Sequence, residues 1–183
     1  MLAEHADKSF WLASYGPYVA NAAVDGDLDV DVAIIGGGFT GLSTAYNLRL
    51  DDSGIDVAVL ESEVVGYGAS GRNGGFSMTL FGFEPSVTQL MFGQQRAVEA
   101  HRYMERAVDY VDLLVTRHQM QSDYWHPGFL RVATAPAYVK RIQRDIKILS
   151  DLGITGIEWL DAERLRADVP LLVSERRGLR RRR

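Results

Sequence analysis

Asp31-Val-Ala-Ile-Ile-Gly36-Gly-Gly38-Phe-Thr-Gly41 is the stretch that decides the fold. Val32 to Ile35 is a short apolar run of the kind that forms a buried strand, and it ends in glycines rather than in a polar turn. Gly36 permits a tight turn out of the strand. Gly38 has no Cβ, so a ligand can approach its backbone, and Gly41 lets a following helix pack closely on the sheet. The spacing Gly36-x-Gly38-x-x-Gly41 is the dinucleotide-binding fingerprint, and the helix behind it turns free N–H groups and a positive dipole end toward phosphate.

Working outward, the helix is expected from about Thr40 to Arg49, with Leu42, Ala45, Tyr46 and the stem of Arg49 at helical spacing. Asp51-Asp-Ser-Gly54 closes it as a turn. Ile55, Val57, Val59 and Leu60 form a second strand that ends at Glu61, completing a βαβ unit. A carboxylate there can accept hydrogen bonds from both ribose hydroxyls and repels a 2′-phosphate, which disfavours NADP. The alternative reading of Glu61 is a solvated charge at a strand end.

A second glycine-rich segment, Gly66-Tyr-Gly-Ala-Ser70-Gly-Arg72-Asn73-Gly74-Gly75, follows. Successive N–H groups in such a turn make an anion-binding concavity, and Arg72 can add a charge-assisted contact to phosphate. Its composition alone is equally that of a surface loop.

Upstream, residues 1–30 read as an arm, with Phe10, Trp11, Tyr15 and Tyr18 expected to pack their rings over the main domain. Downstream, Gln94 to Gln119 is a strongly amphipathic helix on Ala97, His101, Met104, Val108, Val111 and Val115. Phe129 to Thr134 reads as a strand, Ala137 to Leu152 as a helix and Ile157 to Leu160 as a short strand. Asp161 is an N-cap for a last helix ending before Pro170. No internal repeat is evident.

Composition narrows the function. With 46% apolar and 24% charged residues the chain is of ordinary globular type. The absence of cysteine excludes disulfides, thiolate zinc sites and cysteinyl attachment of a flavin. The four histidines (5, 101, 118 and 126) show no paired spacing for a metal. Met1 to Asp7 lacks the basic and apolar regions of a secretory signal, and the uncharged run Val32–Leu48 reads as strand–turn–helix rather than a membrane span. A cytoplasmic location is expected. The net charge of −4 hides six arginines in the last eight residues, without which 14 basic residues face 24 acidic ones. An acidic body argues against nucleic acid as a partner. Polyanion binding through the arginines alone is a separate, weaker reading.

Taken together, Gly36-Gly-Gly-Phe-Thr-Gly-Leu-Ser43, Val59-Leu-Glu61 and Gly66-Tyr-Gly-Ala-Ser-Gly-Arg-Asn-Gly-Gly75 resemble the FAD-dependent oxidoreductases of the glycine/D-amino acid oxidase family, and within it the gamma-glutamylputrescine oxidase-like subgroup. Ser9-Phe-Trp11 and Trp159-Leu-Asp-Ala-Glu163 also resemble that subgroup. The resemblance implies an α/β fold: a Rossmann-like FAD-binding βαβ core at 31–80, then an incomplete α+β portion at 81–170 leading into a substrate domain. It implies that Gly36, Gly38 and Gly41, with Phe39 and Thr40 in the same turn, hold the FAD pyrophosphate. Glu61 binds the adenosine ribose, and Ser70, Arg72, Asn73, Gly74 and Gly75 line the flavin side.

Such enzymes pass a hydride from the carbon beside a substrate amine to flavin N5, and water hydrolyses the resulting imine. The expected substrate is a small amine or amino acid, and no catalytic residue is assigned. Family members are about twice as long, so the resemblance makes this chain the N-terminal part of such an enzyme. Residues 171–183 depart from the family pattern as a basic tail, reading as a truncation or a shifted frame. An NAD-binding dehydrogenase domain shares the fingerprint and the glutamate, but the Gly66–Gly75 segment is not expected of it.

Overall fold

The computed structural model describes residues 9–169 and the backbone of 178–181. The chain divides into two compact units, residues 1–76 and 77–183.

The first unit is the βαβ unit. After a short helix α1 (Phe10–Tyr15) come β1 (Val32–Ile35), α2 (Phe39–Asp51) and β2 (Val57–Leu60). β1 and β2 are parallel, with Val32 opposite Val57 and Ile35 opposite Leu60. Along β1, Val32 and Ile34 are half-buried while Ala33 and Ile35 are exposed. This is the alternation of a strand with one covered face. Ile35 is 81% exposed, so that face is open at β1, although its β2 members Ala58 and Leu60 are half-buried. α2 begins one residue earlier and ends two later than its sequence pattern suggests. Its expected apolar stripe is only partly covered. Ala45 and Tyr46 are half-buried, but Leu42 is 40% exposed, and Arg49 sends its guanidinium to the Ile55 carbonyl at 2.6 Å.

The second unit contains α3 (Pro85–Phe92), α4 (Gln94–Arg117), β3 (Leu130–Val132), α5 (Pro136–Asp151), β4 (Ile157–Leu160), α6 (Ala162–Asp168) and β5 (Gly178–Arg181). α3 packs against both α4 and α5. Its short pattern escaped the sequence reading, although Pro85 stands in its first turn, where a missing N–H costs nothing. The core here is Ala97, Val108, Ala133, Ile142, Leu152, Leu160 and Leu165, with Thr88 and His101 also buried. Of the α4 stripe Val111 is exposed, while Val115 at its far end is half-buried. Asp161 caps α6 as expected, accepting from the Arg164 N–H at 2.9 Å. Arg131 on β3 joins Glu84, 3.4 Å away, to Asp145 on α5, 3.2 Å away.

Beyond Pro170 the sequence offers no periodicity, yet Gly178–Arg181 forms the middle strand of a three-stranded antiparallel sheet, between β3 and β4. The expectation of a tail without elements is therefore corrected at these four positions. Strand pairing is made by backbone groups, so a segment without apolar alternation can still occupy the gap between two strands. Residues 170–177, 182 and 183, with most of the arginine run, lie outside the described residues, as does the Met1–Asp7 segment that bears on a secretory signal. Among the described residues no helix is long and apolar enough to cross a membrane.

Candidate functional site: a double glycine turn

The fingerprint turn has the geometry its glycines require. Gly36 stands at φ 103°, in the left-handed region that side chains resist. A Cβ on Gly41 would overlap the Gly36 carbonyl oxygen and lie 3.2 Å from Ile34 Cγ2. The third glycine is therefore required by both the strand end and the strand side chain. Gly38 is the N-cap of α2 and has no side chain to cap with. The Ser70 hydroxyl does it instead, accepting from the Phe39 N–H at 2.9 Å, and a Cβ on Gly38 would come within 2.8 Å of that hydroxyl.

Glu61 sits where β2 ends, beside the end of β1. Its Oε2 accepts from the Gly37 N–H at 2.7 Å, and its Oε1 accepts from the Glu63 N–H at 3.1 Å. Those bonds, the Gly37 one foremost, hold its pKa below the ordinary carboxylate value. An ionised carboxylate has about four acceptor sites, so these two backbone bonds and a long one from the Ser62 hydroxyl at 3.5 Å leave capacity for a ribose hydroxyl. Gly37 occupies an "x" position of the fingerprint and was not singled out from sequence. It is buried, and a Cβ there would stand 3.3 Å from both Cβ and Oε2 of Glu61.

The second glycine segment repeats the first at the scale of a turn. Gly66-Tyr-Gly68-Ala-Ser-Gly71 has the same six-residue spacing as Gly36–Gly41. Gly66 also has positive φ (78°), Gly68 is the N-cap of a 3₁₀ turn (Ala69–Gly71), and a Cβ on Gly71 would overlap the Gly66 carbonyl oxygen. The two turns are tied together by the Gly66 N–H to the Gly37 carbonyl, 3.0 Å, and by Ser70 on Phe39. No internal repeat is expected from the sequence, and this six-residue one departs from that expectation. A comparison of glycine spacings would have exposed this short one.

The structure thus gathers Gly36, Gly38, Phe39, Thr40, Gly41, Glu61 and Ser70 around the strand ends, where ligands bind in open α/β sheets. Thr40 and Phe39 are exposed in the first turn of α2. Arg72 lies with its guanidinium over the Tyr67 ring, 4.3 Å from the centroid. Asn73 folds the rest of the loop on itself. Its Nδ2 donates to the Ser70 carbonyl at 2.7 Å and its Oδ1 accepts from the Gly75 N–H at 2.7 Å. Gly74 and Gly75 contact aromatic rings: a Cβ on Gly74 would stand 3.2 Å from the Phe76 ring, and one on Gly75 would overlap Trp11. In the arm Trp11 lies against Gly75 yet stays 40% exposed, Tyr18 is half-buried, and Phe10 and Tyr15 are 73% and 71% exposed, so the expected packing of the four rings is met only in part.

A parallel βαβ unit with a glycine turn, an acidic strand end and a helix N-terminus is the arrangement found in dinucleotide-binding α/β folds. Residues 31–181 match the family described as FAD dependent oxidoreductase (DAO). The chain belongs to that family. The match runs past Pro170 to residue 181, which corrects the expectation that the family pattern ends there. The chain is 32% identical over 168 residues to gamma-glutamylputrescine oxidoreductase of Escherichia coli (strain K12), covering 92% of this chain and 38% of that protein. It is 36% identical over 105 residues to the probable oxidoreductase OrdL of Haemophilus influenzae, covering 56% of this chain and 23% of that one. Glycine oxidase from Bacillus cereus ATCC 14579 shares the fold, with a TM-score of 0.58 at 24% identity over 83% of this chain and 38% of its own. The chain thus spans well under half the length of these relatives.

Proposed function

We propose that the chain binds FAD and forms the cofactor-holding part of an oxidoreductase acting on an amine or amino acid. The observation that carries this reading is the pair of interlocked glycine turns beside Glu61, a phosphate cradle and a ribose acceptor on adjoining strand ends. Gly36, Gly38 and Gly41, with Phe39 and Thr40, would form the turn that holds the pyrophosphate; the N–H groups of Gly36 and Phe39 already donate to the Leu60 carbonyl and the Ser70 hydroxyl, so Gly38, Thr40 and Gly41 would supply the backbone donors. Glu61 would take the ribose hydroxyls, and Ser70, Arg72, Asn73, Gly74 and Gly75 would line the path toward the flavin. Residues 31–80 form this cofactor part and 81–170 lead into a substrate part. Bound FAD would supply the hydride acceptor, at N5, for oxidation of the carbon beside a substrate nitrogen. The chain's own residues orient the cofactor. The amine substrate class comes from the relative whose name includes gamma-glutamylputrescine.

A second reading has its own support. That reading is an FAD- or ADP-binding module without turnover, since the described residues carry the cofactor turns and no assigned catalytic residue. An NAD-binding dehydrogenase domain is a third, favoured by Glu61 and disfavoured by the second glycine turn. Titration of the purified chain with FAD, ADP and NAD, followed by addition of an amine such as gamma-glutamylputrescine, separates the three. Flavin binding with bleaching on amine supports the enzyme. Flavin binding without bleaching supports the module, and retention of NAD over FAD supports the dehydrogenase.

A further inference from the structure

The Gly66–Gly75 loop contains five glycines, so its backbone has unusual freedom to lose when it orders around a ligand. Asn73 braces it from within, as described above. A second brace comes from the arm, more than sixty residues earlier in the chain. Ser9 is buried, and its hydroxyl works twice. It caps α1 by accepting from the Trp11 N–H at 3.1 Å and the Leu12 N–H at 3.4 Å, and it donates to the Gly71 carbonyl. Trp11 Nε1 donates to the Asn73 carbonyl at 2.8 Å. The six-membered ring of the same indole lies over Gly75, where a Cβ would overlap Cζ2 and stand 2.7 Å from Cη2. Gly75 has φ 72°. The loop is thus gripped at Gly71, Asn73 and Gly75 by two side chains on one turn of helix.

We infer that Ser9 and Trp11 are positioning residues: α1 is a strap that fixes the backbone of Gly71–Gly75 before any ligand arrives. Resting on the FAD reading above, the strap lowers the ordering cost of binding chiefly at the flavin side; its bonds touch none of Gly36–Gly41, which it reaches only through the neighbouring Ser70. Preorganisation of this kind changes affinity without adding a contact to the ligand. It also assigns Gly75 a reason to be glycine that is independent of cofactor contact, since any side chain there would displace the indole.

The test uses the full chain with Ser9→Ala, Trp11→Phe and Trp11→Ala. Trp11→Phe removes the indole donor while keeping an aromatic ring, and serves if the alanine variant fails to fold. Amide hydrogen exchange in the ligand-free protein is expected to accelerate at Gly71–Phe76 and to stay unchanged in β1 and β2. FAD affinity is expected to fall by about tenfold and ADP affinity by distinctly less. Unchanged exchange at Gly71–Phe76 in all three variants would overturn the strap, as would equal weakening of FAD and ADP. If the wild-type chain takes ADP but no FAD while exchange still accelerates in the variants, the flavin reading falls and the strap stands.

Discussion

Gly37 donates its N–H to Glu61 Oε2 at 2.7 Å, so the middle of the glycine turn and the acidic strand end form one unit. A nucleotide held by this site would meet a carboxylate already oriented by the turn that holds its phosphates. Removing that carboxylate as Glu61→Ala should therefore do two things at once. The unit loses charge-assisted bonds from Gly37 and Glu63, worth about 1 kcal/mol after screening by solvent, seen as a lower denaturant midpoint. ADP affinity should fall by about tenfold or more, measured by calorimetric titration, because a ribose acceptor is gone as well. Unchanged ADP binding would remove Glu61 from the site.

The same bonds give a pH signature. The pKa of Glu61 is lowered in the folded chain, so its contribution is present in full above the ordinary carboxylate range. It is lost as pH falls through the lowered folded value. Wild type and Glu61→Gln should thus differ in denaturant midpoint near neutrality and converge in acid, below the ordinary carboxylate range. A difference that persisted there would mean the stabilisation does not depend on ionisation.

Glycines in the two turns should differ sharply in tolerance. Gly41→Ala forces a Cβ into the Gly36 carbonyl oxygen, and backbone cannot swing aside as a side chain can. A loss of about 1–3 kcal/mol, with loss of ADP binding, is expected. Gly68→Ala meets nothing within 4 Å at a backbone conformation open to alanine, and should alter stability by less than about 0.5 kcal/mol. Thermal melts of the two variants side by side decide this.

In the second unit, Arg131→Met should destabilise by about 1–3 kcal/mol, because Asp145 is left largely buried without its cation. Adding Asp145→Asn to that variant should recover part of the loss, and ADP binding should not change in either. A double-mutant cycle in urea measures the coupling.

Elements whose signal is local could be read from the order of residues alone. β1, β2 and β4, the amphipathic α4 and α5, the cap at Asp161 and the fingerprint were legible because strand runs, helical periodicity and caps depend on neighbours in the chain. Glycine spacing made the turn legible in the same way, since positive φ and a missing Cβ are properties of single residues. Tertiary structure decided what depends on partners distant in sequence. It joined Ser70 to Phe39, Gly37 to Glu61 and Trp11 to Asn73, and it set Gly178–Arg181 between β3 and β4. None of these leaves a periodic trace, because a hydroxyl, a carboxylate or a strand backbone can serve many partners. Only packing of the chain against itself selects one.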